Sequence, residues 1–129
     1  MKIFGIGTDI VNINRLDKSL KIYGKAFKKR VFSAKEINYC EKKNNASSFY
    51  AKRFAAKEAF TKALGTGIRN GIELKNIEVS NDIYGKPYIK LNGKVEKYLK
   101  KKIKKKKYNI YLSLADDKPW AQATVIISY

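Results

Sequence analysis

Nineteen residues from Ala46 to Leu64 contain no glycine or proline, and Phe49, Arg53, Ala56, Phe60, Ala63 and Leu64 recur among them at helical spacing. This predicts the longest helix of the chain, with alanines small enough to let another element approach its backbone. Within it, Arg53-Phe54-Ala55-Ala56-Lys57-Glu58-Ala59-Phe60-Thr61-Lys62-Ala63 sets Glu58 and Lys62 one turn apart, pointing the same way. The helix runs out at Leu64-Gly65-Thr66-Gly67, where glycines can turn the chain and leave backbone N–H groups to meet an anion.

The remaining elements fit around that helix. Ile3 to Val11 is a β-branched, glycine-interrupted strand with Asp9 as its one charge. From Asn14 to Phe32 a helix with a possible break at Gly24 carries Leu16, Leu20, Tyr23, Phe27 and Val31 toward a core. Arg15, Lys18, Ile22, Lys25 and Lys29 share a neighbouring face as a basic ridge, for which a solvated surface is the plainer reading. Ser33 and Glu36 form a capping box that opens a helix to about Lys43. A hairpin follows, Ile77–Ser80 and Tyr88–Leu91, then a lysine-dense helix with Val95, Leu99 and Ile103 on one side. Two closing strands, Ile110–Ala115 and Ala121–Ile127, flank the turn Asp116 to Pro119. That order implies one α+β domain over residues 1–129, an antiparallel sheet packed against the long helix.

Composition narrows the chemistry. The chain has no histidine, which removes the commonest general base and the usual ligand for zinc, copper and iron, so any metal should be hard and oxygen-bound. Cys40 is the single cysteine and reads as ordinary packing. A formal charge of +18 attracts polyanions, but 25 of the basic residues are lysine and 4 arginine, which does not suit bidentate reading of phosphates or guanine edges. Basic and aromatic residues are not interleaved on strands, which speaks against a nucleic-acid platform. Neither a charged, apolar leader nor a run of about twenty apolar residues appears, so a cytoplasmic protein without a membrane partner is expected.

Asp9 and Glu58 are the acidic residues placed inside predominantly apolar elements. Together they could hold Mg²⁺, which takes one or two carboxylates and keeps sites for water and substrate phosphates, with Lys62 beside it. The alternative of equal weight is a buried Glu58–Lys62 ion pair, with Asp9 capping some other group.

These residues resemble the holo-acyl-carrier-protein synthases, the short bacterial type of 4′-phosphopantetheinyl transferase. The likeness rests on Gly5-Ile6-Gly7-Thr8-Asp9-Ile10-Val11, on Arg53 to Ala63 followed by Gly65-Thr66-Gly67, on Gly85-Lys86-Pro87, and on the closing pair of strands. It implies transfer of the phosphopantetheine arm of coenzyme A to a serine of acyl carrier protein, releasing adenosine 3′,5′-bisphosphate in support of fatty acid biosynthesis. Asp9 and Glu58 fall on the family's magnesium ligands, and Lys62 joins them as a catalytic residue and phosphate contact. The serine proton goes to Glu58 or to a metal-bound hydroxide, with Glu58 the favoured base. Arg53, Lys57, Gly65, Thr66, Gly67 and Pro87 become candidates for coenzyme A, and Arg15, Lys18, Ile22, Lys25 and Lys29 for the acidic carrier protein. The resemblance also implies a homotrimer with active sites between subunits. One departure stands out: where the family commonly reads Ser-x-Ser-His-Asp, this chain has Ser113-Leu114-Ala115-Asp116-Asp117.

Overall fold

A computed structural model describes residues 1–67 and 71–129. Five strands and four helices follow in the order β1 (Ile3–Asn12), α1 (Ile13–Val31), α2 (Ala34–Glu41), α3 (Ala46–Leu64), a short 3-10 turn (Leu74–Asn76), β2 (Ile77–Asn81), β3 (Pro87–Leu91), α4 (Lys94–Ile103), β4 (Asn109–Asp117) and β5 (Trp120–Ser128). The expected α+β architecture is present, with the antiparallel strands divided between two sheets. One has the order β1-β5-β4 and the other is the β2-β3 hairpin. The last hairpin turns more tightly than the sequence implies: Asp116 and Asp117 are still paired, opposite Ala121 and Trp120.

Helix α3 lies across the inner face of the three-stranded sheet, and two glycines make that contact possible. A Cβ added to Gly5 would sit 1.9 Å from the Ala63 carbonyl oxygen, and one on Gly7 would sit 1.9 Å from that of Ala59. Strand and helix therefore meet backbone to backbone, glycine against the alanines four residues apart on α3. On the same sheet face Ala121, Ala123, Val125 and Ile127 of β5 are fully buried. The period-2 alternation of β5 supplies this surface.

The single core face expected for α3 widens into burial nearly all round. Tyr50, Ala51, Ala55, Ala56, Ala59, Phe60 and Leu64 are at most 1% exposed, and Arg53 and Lys57 are buried among them. A central helix enclosed by other elements shows little amphipathic period.

Helix α1 is two helices joined at Gly24, whose φ of 59° and ψ of −143° no interior helical residue adopts. Leu16, Leu20 and Val31 are buried as expected, but Tyr23 is 63% exposed. Tyr23 lies before the break and keeps the helical phase of Leu16 and Leu20, so the break does not account for its exposure. Helix α2 begins with the predicted capping box: Ser33 Oγ accepts from the Glu36 N–H, and Glu36 Oε1 accepts from the Ser33 N–H. It ends at Glu41, two residues short of expectation.

Candidate functional site

Alternation along β1 puts Asp9 on the face that Gly5 and Gly7 press against α3. The close crossing thus delivers the Asp9 carboxylate to the flank of α3, where Glu58 and Lys62 stand one turn apart. Lys62 Nζ lies 3.0 Å from Asp9 Oδ1 and donates a second bond, 3.0 Å, to the Thr8 carbonyl. The lysine therefore pairs across to the strand, and the alternative ion pair within α3 is not the arrangement formed.

Glu58 is half-buried, and its carboxyl is held above the ordinary glutamate value. Burial is the largest cause, the negative Asp9 adds to it, and Lys62 opposes both. Two carboxylates that repel one another across a partly dry space, with one cation engaged by Asp9, form a site electrostatically short of positive charge. Both are oxygen donors, and no third Asp, Glu, Cys or His clusters with them among the described residues. This donor set fits a hard, oxygen-seeking divalent ion that keeps most of its shell for water or substrate oxygen.

The pair opens into a cleft of about 460 Å³ lined by Asp9 to Asn12 of β1, Arg15, Leu16, Ser19 and Phe27 of α1, and Phe54 and Glu58 of α3. Its α1 wall carries Arg15, the first residue of the expected basic ridge, and the break at Gly24 falls between Ile22 and Lys25, so Lys25 and Lys29 do not continue that face in phase. Arg15, Lys18, Ile22, Lys25 and Lys29 are all exposed, with Ile22 at 72%. Asn12 fixes the start of that wall by capping α1, its side chain accepting from the Arg15 N–H at 3.0 Å.

Two of the residues expected at phosphates are turned inward. Lys57 is fully buried, and its ammonium donates to Glu36 Oε1 (2.7 Å), the Leu74 carbonyl (2.9 Å) and the Ile77 carbonyl (2.6 Å). All three donors are used, so none is left for a phosphate. Burial pulls its pKa below the usual lysine value, with Glu36 acting against that. Glu36 in turn takes the Val79 N–H on its other oxygen at 3.1 Å. Arg53 is 2% exposed, its guanidinium 4.2 Å over the Tyr39 ring and its Nη2 bonded to Asn81 Oδ1 at 2.8 Å.

Gly65 caps α3 with φ of 85°, and its N–H is committed to the Thr61 and Lys62 carbonyls rather than to an external anion. Thr66 is half-buried beside it and Gly67 exposed, while Pro87 opens β3 opposite Asn81. Asp116, at the position of the missing histidine, has a partner of its own in Lys52 at 3.4 Å. Cys40 is fully buried and its thiol is pushed up to about 12 by that burial, which leaves it inert packing.

The Glu36–Lys57 pair and the Arg53–Asn81 bond were not anticipated. Arg53 and Lys57 are four residues apart on the turn that also carries Phe60, a spacing that places them on an inward face.

A family profile described as the 4′-phosphopantetheinyl transferase superfamily matches residues 5–123. A holo-[acyl-carrier-protein] synthase of Pelagibacter ubique is 50% identical over 127 residues, covering 98% of each chain. Among solved structures, the holo-[acyl-carrier-protein] synthase of Neisseria meningitidis superposes with a TM-score of 0.89 at 35% identity, covering 99% of this chain and 100% of that one. The Helicobacter pylori holo-[acyl-carrier-protein] synthase, solved in complex with coenzyme A, superposes with a TM-score of 0.81 at 33% identity, covering 95% of this chain and 99% of that one.

Proposed function

This chain belongs to the 4′-phosphopantetheinyl transferase superfamily, and from that premise we propose that residues 1–129 form one transferase domain that converts apo- to holo-acyl carrier protein. The carrier's serine oxygen attacks the pyrophosphate phosphorus of coenzyme A nearest the pantetheine. A new P–O bond forms there as the bond to adenosine 3′,5′-bisphosphate breaks, and Glu58 takes the serine proton. The observation that carries this reading is that Asp9 and Glu58 line one cleft with Arg15 of α1 on its other wall, while Lys62 is paired to Asp9 at 3.0 Å.

Asp9 and Glu58 would hold Mg²⁺, which when bound offsets the charge of the pyrophosphate. Lys62 orients Asp9 through the 3.0 Å bond and adds positive potential where the leaving phosphate develops charge. Its carbonyl contact at Thr8 keeps the ammonium at that spot. In the metal-free site burial holds the Glu58 carboxyl above the ordinary glutamate value, and its place beside the cleft makes it the candidate to accept the hydroxyl proton. Thr66, Gly67 and Pro87 remain the candidates for coenzyme A, and Gly65 contributes by shaping the turn. Arg15, Lys18, Ile22, Lys25 and Lys29 dock the acidic carrier protein, Ile22 as an apolar contact amid charges that steer the encounter.

The assembly is a homotrimer with its sites between subunits, acting in the cytoplasm on carrier proteins of fatty acid biosynthesis. Supporting self-association, the outer face of the three-stranded sheet leaves Ile6 65%, Ile10 62% and Tyr111 49% exposed. No helix among the described residues is long and apolar enough to cross a membrane.

Intact-mass analysis of apo-acyl carrier protein, incubated with the enzyme, coenzyme A and Mg²⁺, tests the reaction. A gain of one phosphopantetheine, abolished by EDTA and by Glu58→Ala, is the expected result. No gain with folded enzyme refutes it. Sedimentation of the free protein tests the trimer, and a monomer at micromolar concentration would contradict it.

A further inference from the structure

The net charge of +18 is not spread evenly. Nine of the fourteen residues from Lys94 to Lys107 are lysine and one, Glu96, is acidic. Helix α4 buries Val95, Leu99 and Ile103, so the apolar side of the segment faces the core and the lysines stand outside. Among the described residues only Lys100 of the nine has a carboxylate partner, Glu96 at 2.9 Å. The helix dipole accounts for lysines in the last turn of α4, but not for the four that follow it. Lys104 ends the helix at φ of 55°, in the left-handed region that lysine rarely occupies, and the chain beyond it borders a hollow of about 690 Å³. Lys2, Ile103, Lys105, Lys106, Lys107 and Tyr129 line that hollow. Two backbone bonds between Lys2 and Tyr129, of 2.7 and 2.9 Å, fix its sheet side. Four like charges around one hollow, with no carboxylate side chain in the lining, repel one another, and that cost serves no packing purpose.

The hollow is also remote from the transfer site. Seven residues separate Lys2 from Asp9, about 23 Å of strand, which is more than two Debye lengths at physiological ionic strength. These lysines therefore do not steer ligands to Asp9 and Glu58 of the same chain.

We propose that this end of α4 is a seat for the phosphate backbone of a nucleic-acid duplex, held without regard to sequence. Nothing in it depends on the transferase reading. The charges are all lysine, which suits phosphates as point charges rather than bidentate recognition of base edges. Tyr129 is the one aromatic residue of the lining and is half-buried, which leaves no stacking platform for unpaired bases. A bilayer is flat and is gripped by inserted apolar side chains, whereas this surface is concave and turns Val95, Leu99 and Ile103 inward. Over the length of α4, about 15 Å, a duplex presents about nine phosphate charges, a density comparable to that of the lysines.

Fluorescence anisotropy of a labelled DNA duplex of about 20 base pairs, titrated with the full protein between about 50 and 200 mM KCl, tests this. Engagement of about five lysines gives a log–log salt slope of about −4.5, an affinity loss of about 500-fold over that range. Combining Lys105→Gln, Lys106→Gln and Lys107→Gln should flatten the slope by about 2 to 3. The same charge removed from α1 by Lys18→Gln, Lys25→Gln and Lys29→Gln should change it by less than about 1, and a shuffled duplex should bind within about twofold. Equal flattening by the two triple variants would mean diffuse attraction to the net charge and overturns the proposal, as does a wild-type protein that leaves the anisotropy unchanged at low salt. Phosphatidylglycerol vesicles that hold the protein more tightly than the duplex does at equal phosphate, through the same three lysines, overturn it in favour of a membrane surface. Relieved of repulsion, the Lys105–Lys107 variant should melt no lower than wild type, and a lower melting point contradicts the claim that these lysines serve no packing purpose.

Discussion

Lys57→Met should be among the most damaging substitutions in the chain while sparing its affinity for coenzyme A. The ammonium and the Glu36 carboxylate are both fully buried, 2.7 Å apart. Removing the lysine leaves a charge without its counter-ion and strips two carbonyls, Leu74 and Ile77, of their donor. The Glu36 carboxylate keeps the Ser33 and Val79 N–H groups, which softens the loss without replacing a cation. Breaking one side of a buried pair is destabilising by about 3–5 kcal/mol. For a chain of 129 residues each kcal/mol moves the melting point by about 3–5 °C, so a fall of about 10–20 °C is expected. That is a large share of the roughly 5–15 kcal/mol that holds a domain folded. Adding Glu36→Gln removes the stranded charge and should restore about 1–2 kcal/mol. Melting followed by circular dichroism gives the first number. Transfer kinetics below the melting range give the second: KM for coenzyme A within about twofold of wild type. A Lys57→Met protein that melts within about 2 °C of wild type but binds coenzyme A poorly would refute the argument and return Lys57 to the phosphates.

Gly7→Ala puts a Cβ 1.9 Å from the Ala59 carbonyl oxygen, so β1 must lift off α3 and carry Asp9 with it. A loss of about 1–3 kcal/mol is expected together with a fall in kcat of more than about tenfold, and a kcat within threefold would contradict it. The raised Glu58 carboxyl means that folding favours its protonated form: that stability is fully present below the unfolded value of 4.5 and is lost as pH rises through the folded value. Metal-free Glu58→Gln should therefore be more stable than wild type at pH 7 by about 0.5 kcal/mol, allowing for its half exposure, with the gap closing toward pH 4. A variant that melts lower at pH 7 would sink this account. Arg15→Glu should raise KM for carrier protein more than about tenfold at low salt and leave that for coenzyme A nearly unchanged, whereas equal effects on both would remove α1 from docking.

The elements themselves were legible because their periods are clean: Leu16 and Leu20 in α1, the Ser33–Glu36 capping box, the alternation of β5. So was the Asp9–Glu58 pair, since a carboxylate in an apolar strand and another in an alanine-rich helix each need a reason to be there. Lys57 and Arg53 were misread for a physical cause. A helix enclosed on nearly all sides has no polar face to mark which charges point out, so Arg53 and Lys57 stood as coenzyme A candidates on the family resemblance alone. Consecutive helix residues point about 100° apart, and that angle separates the wall of the cleft from the middle of the core. The split of the strands into two sheets depends on pairings between distant segments, which alternation within a strand does not encode.

Because Gly5 and Gly7 meet the Ala59 and Ala63 carbonyls with no side chain between them, the spacing of Asp9 from Glu58 is set by backbone thickness alone. A joint of that kind has no rotamers to populate, so warming cannot loosen it by the usual route of side-chain motion. Drift elsewhere in the sequence can recolour the surface, lysine by lysine, without changing the gauge of the site. The same joint has no tolerance to spare: its two glycines, on the strand that carries Asp9, are a mechanical stop, and either of them grown by a methyl group would run into a backbone carbonyl of α3.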